Sequence, residues 1–270
     1  MDIRFTKMNG AGNDFVVLDN RTRSLSLDGA AIARLCDRHR GIGADGLLAV
    51  EPADGAADFR MRYYNSDGGE AEMCGNGARC FARFAARLMP EKPLSVSFET
   101  QAGLITAALE GELVALEMGR PQNYRAGQSL TLVDSKHLVH FLNTGVPHAV
   151  VFVPDVEKID VMALGSALRR HDAFSPKGTN ANFVQILAPD SLVLRTYERG
   201  VEGETLACGT GVCATALLHS VESGASSPIH VRVRGGDTLR VDFQRNPDGS
   251  FASARLTGPA DFVFEGTISL

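Results

Sequence analysis

The chain has 270 residues, 44% of them hydrophobic and 22% charged, with a net charge of −5. That length and composition fit one large or two medium globular domains with ample apolar material for a core. The net negative charge gives no electrostatic case for nucleic acid or an anionic membrane surface, and no apolar run approaches the roughly 20 residues of a membrane helix. The opening MDIRFTKMNGAGNDF lacks the basic and apolar regions of a secretory signal, so a cytoplasmic location is expected. Five cysteines, scattered and odd in number, do not make a disulfide scaffold.

In chain order, the first strand-like run is Asp14–Asp19, followed by a helix that Asp28 can cap and that extends to about Arg38, with Ile32 and Leu35 on one face. Phe59–Tyr64 reads as a strand, 76–88 as a helix, and Leu94–Glu99 and Leu113–Met118 as strands. Beyond them, Ala149–Val153 reads as a strand and 161–171 as a helix, with further strands at Phe183–Leu187 and Leu192–Tyr197. A helix over 210–220 and strands at Ile229–Val233, Leu239–Phe243 and Ser253–Leu256 complete the pattern, with Asp248-Gly249 as a hairpin turn between the last two.

Two stretches repeat one another. Gly69-Glu70-Ala71-Glu72-Met73-Cys74-Gly75-Asn76-Gly77 and Gly203-Glu204-Thr205-Leu206-Ala207-Cys208-Gly209-Thr210-Gly211 both read G-E-x-x-x-C-G-x-G, and each runs into a helical pattern. Arg62-Tyr63-Tyr64-Asn65 precedes the first as Arg195-Thr196-Tyr197-Glu198 precedes the second. A looser echo pairs Gly10–Val16 with Gly178–Val184. The expected architecture is α+β: two similar domains from an internal duplication, each a mostly antiparallel sheet or barrel around a central helix, with the active site in the cleft between them. The expected boundaries are 1–118, completed by 260–270, and 119–259.

Each motif cysteine stands before Gly-x-Gly at a helix start. Free backbone N–H groups and the positive end of the helix dipole make such a turn an anion site. The same field favours thiolate over thiol, lowering the cysteine pKa from its free value of about 8.5. Two such turns suit a reaction in which one thiolate removes an α-proton and a thiol returns one to the opposite face, while amides carry the carbanion charge on a carboxylate. Cys36, Cys80 and Cys213 fall inside helical patterns and read as packing residues. The cysteines lack metal-ligand spacing, and neither a phosphate-cradling nor a dinucleotide-binding glycine motif is present, so no metal and no cofactor is expected.

These residues, taken with others in order, resemble the diaminopimelate epimerases over nearly the whole chain. The resemblance rests on Met8–Phe15, Gly41–Leu47, Arg62–Gly68, Met73–Arg79, Pro147-His148, Gly178–Asn180, Tyr197–Gly200 and Ala207–Gly211. It implies a cofactor-independent isomerase that interconverts L,L- and meso-2,6-diaminopimelate on the way to lysine and peptidoglycan precursors. It implies Cys74 and Cys208 as the acid/base thiols, with His148 and Glu198 near the reacting amino group. The backbones of Gly75, Asn76, Gly209 and Thr210 would hold the reacting carboxylate. Asn13, Asn65 and Asn180 would contact substrate polar groups, and Arg199 the distal carboxylate. The implied partner is this small diamino-dicarboxylate alone, with no nucleic acid or membrane, and a homodimer is the expected assembly.

One position departs from the family pattern. Many members have Gly-Asn-Pro-His where this chain has Gly145-Val146-Pro147-His148. Valine offers no side-chain hydrogen bond to the distal end of a substrate. A racemase of another amino acid, proline- or histidine-like, is therefore the alternative reading, and a thiol-redox switch built on Cys74 and Cys208 is a third.

Overall fold

The computed structural model describes residues 2–270. The chain separates into two compact units, Met1–Leu116 with Gly258–Leu270, and Glu117–Thr257. The first unit contains β1 (Asp2–Gly10), β2 (Asn13–Asp19), α1 (Gly29–Cys36), β3 (Gly46–Glu51), β4 (Phe59–Asn65), α2 (Gly75–Arg87), β5 (Ser95–Thr100), β6 (Gly103–Glu110) and most of β7 (Leu113–Met118). The second contains β8 (Gln122–Leu132), β9 (Ser135–Asn143), β10 (Pro147–Phe152), α3 (Val161–Arg169), β11 (Asn180–Ala188), β12 (Ser191–Glu198), β13 (Gly203–Thr205), α4 (Gly209–Ser223), β14 (Ile229–Arg232), β15 (Thr238–Arg245) and most of β16 (Phe251–Pro259). The last strand, β17 (Asp261–Ser269), returns to the first unit.

The duplication is written in the strand pairings. In the first unit the order β17-β1-β2-β3-β4-β5-β6-β7 is antiparallel except at β2–β3 and β4–β5, which are parallel. In the second, β8-β9-β10-β11-β12-β14-β15-β16 is antiparallel except at β10–β11 and β12–β14. A parallel pair needs a long crossover, and each of the four is bridged by a helix: α1 and α2 in the first unit, α3 and α4 in the second. The α+β class expected from the sequence is the class observed.

The strands wrap around α2 and α4. Helix α2 packs against β1 through β6, and α4 against β9, β10, β11, β12, β14 and β15. An encircled helix has no solvent face to keep polar. Accordingly the run Gly211–Ser220 of α4 is buried throughout, and α2 buries Phe81 against Phe98 with ring centroids 4.7 Å apart. The outer helices α1 and α3 cover second apolar layers. One gathers Ile3, Phe5, Val16, Ile32 and Leu35, and the other gathers Leu132, Val151, Val161, Leu168 and Phe183.

Two readings of the sequence need correction. The helix capped by Asp28 stops at Cys36, short of Arg38. Asp37 Oδ1 accepts the backbone N–H groups of His39 and Arg40, and this local turn outcompetes another helical turn. The looser echo is not a true equivalence either. Gly10–Val16 spans the β1–β2 hairpin, whereas Gly178–Val184 leads from α3 into β11, parallel to β10. By topology, Gly10–Val16 matches the β9–β10 hairpin around Gly145, and Gly178–Val184 matches the approach to β3. In both segments a glycine with positive φ, Gly12 or Gly178, precedes a buried strand.

Candidate active site

The repeated motif resolves into a buckle and a helix start. Its glutamate is structural: Glu70 takes a two-pronged ion pair from Arg62 on β4, and Glu204 takes the matching pair from Arg195 on β12 at 2.6 and 2.8 Å. The segment before each cysteine is thereby held to the strand that precedes it, seen also in the bridge Tyr64 to Glu70 and its counterpart Tyr197 to Glu204. Each cysteine is then the N-cap of its helix. Cys74 has φ −134°, ψ 123° and Cys208 φ −127°, ψ 104°, and their carbonyls accept the N–H of Ala78 at 2.7 Å and of Val212 at 2.9 Å. Neither helix has an acidic residue in its first turn, so no side-chain charge opposes the dipole there. Cys74 is half-buried and Cys208 buried, and neither is in a disulfide.

In the first unit, Asn76 on the first turn of α2 donates to Asn13 Oδ1, and its own Oδ1 accepts from Arg79 at 2.9 Å. Asn13 donates onward to Asp45 at 2.9 Å. Asp45 is held by Arg38, which also grips Asp14, and Asp14 pairs with Lys7 at 2.8 Å. Burial opposes ionisation of Asp14, but hydrogen bonds from Arg38 and Lys7 win and lower its pKa to about 2. Asn13 is thus oriented by a charged network. Asn65, at the exposed end of β4, accepts the Tyr63 hydroxyl at 2.9 Å. Gly75 is open: a Cβ there would meet nothing within 4 Å.

In the second unit, His148 is 0% exposed at the start of β10. Its Nε2 lies 2.9 Å from Thr210 Oγ1, and Thr210 Oγ1 lies 3.6 Å from Cys208 Sγ. Burial, then the charge of Arg199, pushes the His148 pKa down to about 3, so the ring is neutral near pH 7. The first turn of α4 is pinned by Thr144, whose hydroxyl donates to the Thr210 carbonyl at 2.8 Å. Next to Gly209, which opens α4, Thr210 therefore binds through both its side chain and its backbone. Burial raises the pKa of Glu198 at the end of β12.

Asn180 is anchored to the backbone with one amide hydrogen and one lone pair. It donates to the Pro147 carbonyl at 3.1 Å and accepts the Arg199 N–H at 2.8 Å, locking the ends of β10 and β12 in register. Arg199 Nη1 reaches the Lys177 carbonyl at 3.4 Å. Asn143 accepts the Gly145 N–H at 3.0 Å, shaping the turn that carries Val146. Sequence reasoning missed Asn182, Thr196 and Thr144 behind Cys208, and Lys7, Arg38 and Asp45 behind Asn13. One signal was present: Asn180 and Asn182 alternate on one face of an apolar strand, which buried polar residues rarely do without partners.

Comparison with known proteins follows the same lines. A family model described as diaminopimelate epimerase matches residues 5–124 and 140–263. The diaminopimelate epimerase of Aquifex aeolicus is 42% identical over 99% of this chain and 98% of that protein. The diaminopimelate epimerase of Chlorobaculum tepidum is 43% identical over 97% of this chain and all of its own length. Among solved structures, a phenazine biosynthesis protein of the PhzF family from Bacillus anthracis superposes over both full chains with a TM-score of 0.76 at 15% identity. A probable proline racemase from Agrobacterium radiobacter gives 0.70 at 17%, over 99% of this chain and 93% of that one. At such identities these two establish a shared fold.

Proposed function

This chain belongs to the diaminopimelate epimerase family, and from that premise we infer how its residues perform the stereoinversion of L,L- to meso-2,6-diaminopimelate. The enzyme is an isomerase. We assign Cys74 and Cys208 as the acid/base pair: one thiolate removes the α-proton, and the other thiol delivers a proton to the opposite face of the same carbon. The observation that carries this assignment is the matched N-cap placement of both sulfurs, each on a helix start with no acid in its first turn.

The carbanion formed in between places its charge on the substrate carboxylate. Amides of Gly75 and Asn76, and of Gly209 and Thr210, are the donors we assign to it, because first-turn N–H groups have no intrahelical acceptor. Removing one such donor typically costs about 10²- to 10³-fold in rate. Asn13, Asn65 and Asn180 are assigned to substrate polar groups, Arg199 to the distal carboxylate, and His148 and Glu198 to the surroundings of the reacting amino group. A raised pKa on Glu198 favours its protonated form, a donor as well as an acceptor. The same reading places the enzyme in the cytoplasm, where both thiols stay reduced, and assembles it as a homodimer.

Epimerisation in deuterated water tests the assignment. Two bases put solvent deuterium mainly into product at early times, and Cys74→Ala or Cys208→Ala nearly abolishes turnover. Cys36→Ala leaves the chemistry intact, since that thiol is buried among apolar side chains with its pKa raised to about 11. Equal early exchange into recovered substrate and product would indicate a single base and defeat the two-thiol assignment.

A further inference from the structure

The hydrogen bonds behind Cys208 have a direction, and it is set at Asn182. This residue is fully buried on β11. Its Nδ2 faces the Ala149 carbonyl at 3.0 Å, and its Oδ1 accepts the Thr196 hydroxyl at 3.0 Å. A carbonyl only accepts, so turning the amide round would set oxygen against oxygen. The same NH2 lies 3.2 Å from His148 Nδ1. That ring nitrogen is therefore an acceptor, and the proton of the neutral imidazole sits on Nε2, facing Thr210 Oγ1. Thr210 receives this proton and has its own hydrogen left to donate to Cys208 Sγ.

We propose that Asn182, steered by Thr196 and Ala149, is a positioning residue for the reaction: it locks His148 in the Nε2–H tautomer so that Thr210 donates to Cys208 and holds that sulfur as a hydrogen-bond acceptor, the state of a thiolate base. The proposal rests on the reading of Cys208 as an acid/base thiol. The low pKa of His148 keeps Nδ1 free of a proton at working pH, with Arg199 the charge that reaches the ring. Close packing leaves the relay no slack. A Cβ at Gly211 would lie 2.7 Å from Asn182 Oδ1, 3.3 Å from His148 Cε1 and 3.4 Å from Cys208 Sγ. The corresponding neighbours of Gly77 in the first unit are Phe15 and Leu48, whose side chains have no polar atoms. The relay belongs to the Cys208 half.

The test uses the full chain labelled with 15N, and long-range 1H–15N spectra in which the His148 signals are identified by their loss in His148→Gln. The expected pattern is an unprotonated Nδ1 and a protonated Nε2 from about pH 6 to 9. Asn182→Leu, which copies Leu48, should abolish the single tautomer and raise the pH midpoint of Cys208 alkylation by iodoacetamide, followed site by site by mass spectrometry. Thr210→Val should raise that midpoint by about one unit, and Thr210→Ser should restore it. The Cys74 midpoint stays put in all three variants, which separates the relay from general disruption. A protonated Nδ1 in the parent chain, or a Cys208 midpoint unmoved by Thr210→Val, overturns the proposal. No measurement here needs substrate, so a failure to epimerise diaminopimelate would count against the function alone.

Discussion

Phe15 and His148 stand at the same place in the two halves of the chain. Each lies near the start of the third strand in the sheet order of its unit, β2 in β17-β1-β2 and β10 in β8-β9-β10, against the third residue of the helix that follows the motif cysteine. A Cβ on Gly77 would lie 3.4 Å from the Phe15 ring, and one on Gly211 3.3 Å from His148 Cε1. Duplication supplied the frame, and divergence filled one copy with an apolar ring and the other with a polar one.

This difference makes the two glycines unequal. In Gly77→Ala the new methyl meets Phe15 and Leu48 at ordinary contact distance, and alanine in a helix gains about 0.5–1 kcal/mol over glycine. Stability should hold or rise slightly. In Gly211→Ala the methyl strikes Asn182 Oδ1, and overpacking of this kind costs about 1–3 kcal/mol. The denaturant midpoint should fall for Gly211→Ala and hold or rise for Gly77→Ala, and equal midpoints would contradict the packing described.

His148 makes stability depend on pH. Its folded pKa is lowered to about 3, below the unfolded value of about 6.5, so between these pH values the unfolded chain binds the extra proton. Folded stability therefore falls as pH drops below about 6.5, with a slope of up to about 1.4 kcal/mol per pH unit from this group. His148→Gln should flatten that slope between about pH 6 and 4. Urea titrations across this range would show it, and an unchanged slope would mean the ring is charged when folded.

Asp14 acts lower on the scale. Its folded pKa is depressed to about 2, so its contribution is complete above the unfolded value of about 3.9 and is lost as pH falls through about 2. The contribution is about 2 kcal/mol. Asp14→Asn takes the carboxylate from Lys7 and leaves Arg38 with Asp45 alone, and should lower stability near neutral pH by that order, while removing this part of the acid-induced loss. Thermal melts of both proteins at neutral pH and near pH 3 would test it.

Val146 offers a check on substrate recognition. Its backbone carbonyl accepts the Thr144 N–H, and its side chain is half-buried beside the turn that Asn143 shapes. Val146→Asn introduces an amide where many family members carry one. A contact to the distal end binds ground and transition states alike, so KM for diaminopimelate should fall about fivefold, the worth of a hydrogen bond of about 1 kcal/mol, with kcat little changed. A preference for proline or histidine in the parent chain would point instead to the racemase alternative.

Local chemistry was legible without coordinates. The helices after Cys74 and Cys208, the Asp28 cap and the Asp248-Gly249 turn follow from near neighbours in sequence, and so does the duplication that the paired motifs announce. The glutamate of the motif was visible yet unexplained, because its partners Arg62 and Arg195 sit on strands that only the antiparallel return brings alongside. The false echo of Gly10–Val16 with Gly178–Val184 has a related cause: similar turns precede strands of different place in the sheet.

The α+β class, the family and the pair of cysteines can be read from the chain without its fold, since each depends on residue type and short spacing. Only the folded chain shows which polar groups stand behind Cys208 and behind Asn13. Asn182, Thr196 and His148 meet because β10, β11 and β12 are neighbours, and Lys7, Asp14, Arg38 and Asp45 meet where β1 and β2 pass the end of α1. Such meetings depend on strand order and register, and a one-residue slip would turn every side chain to the other face.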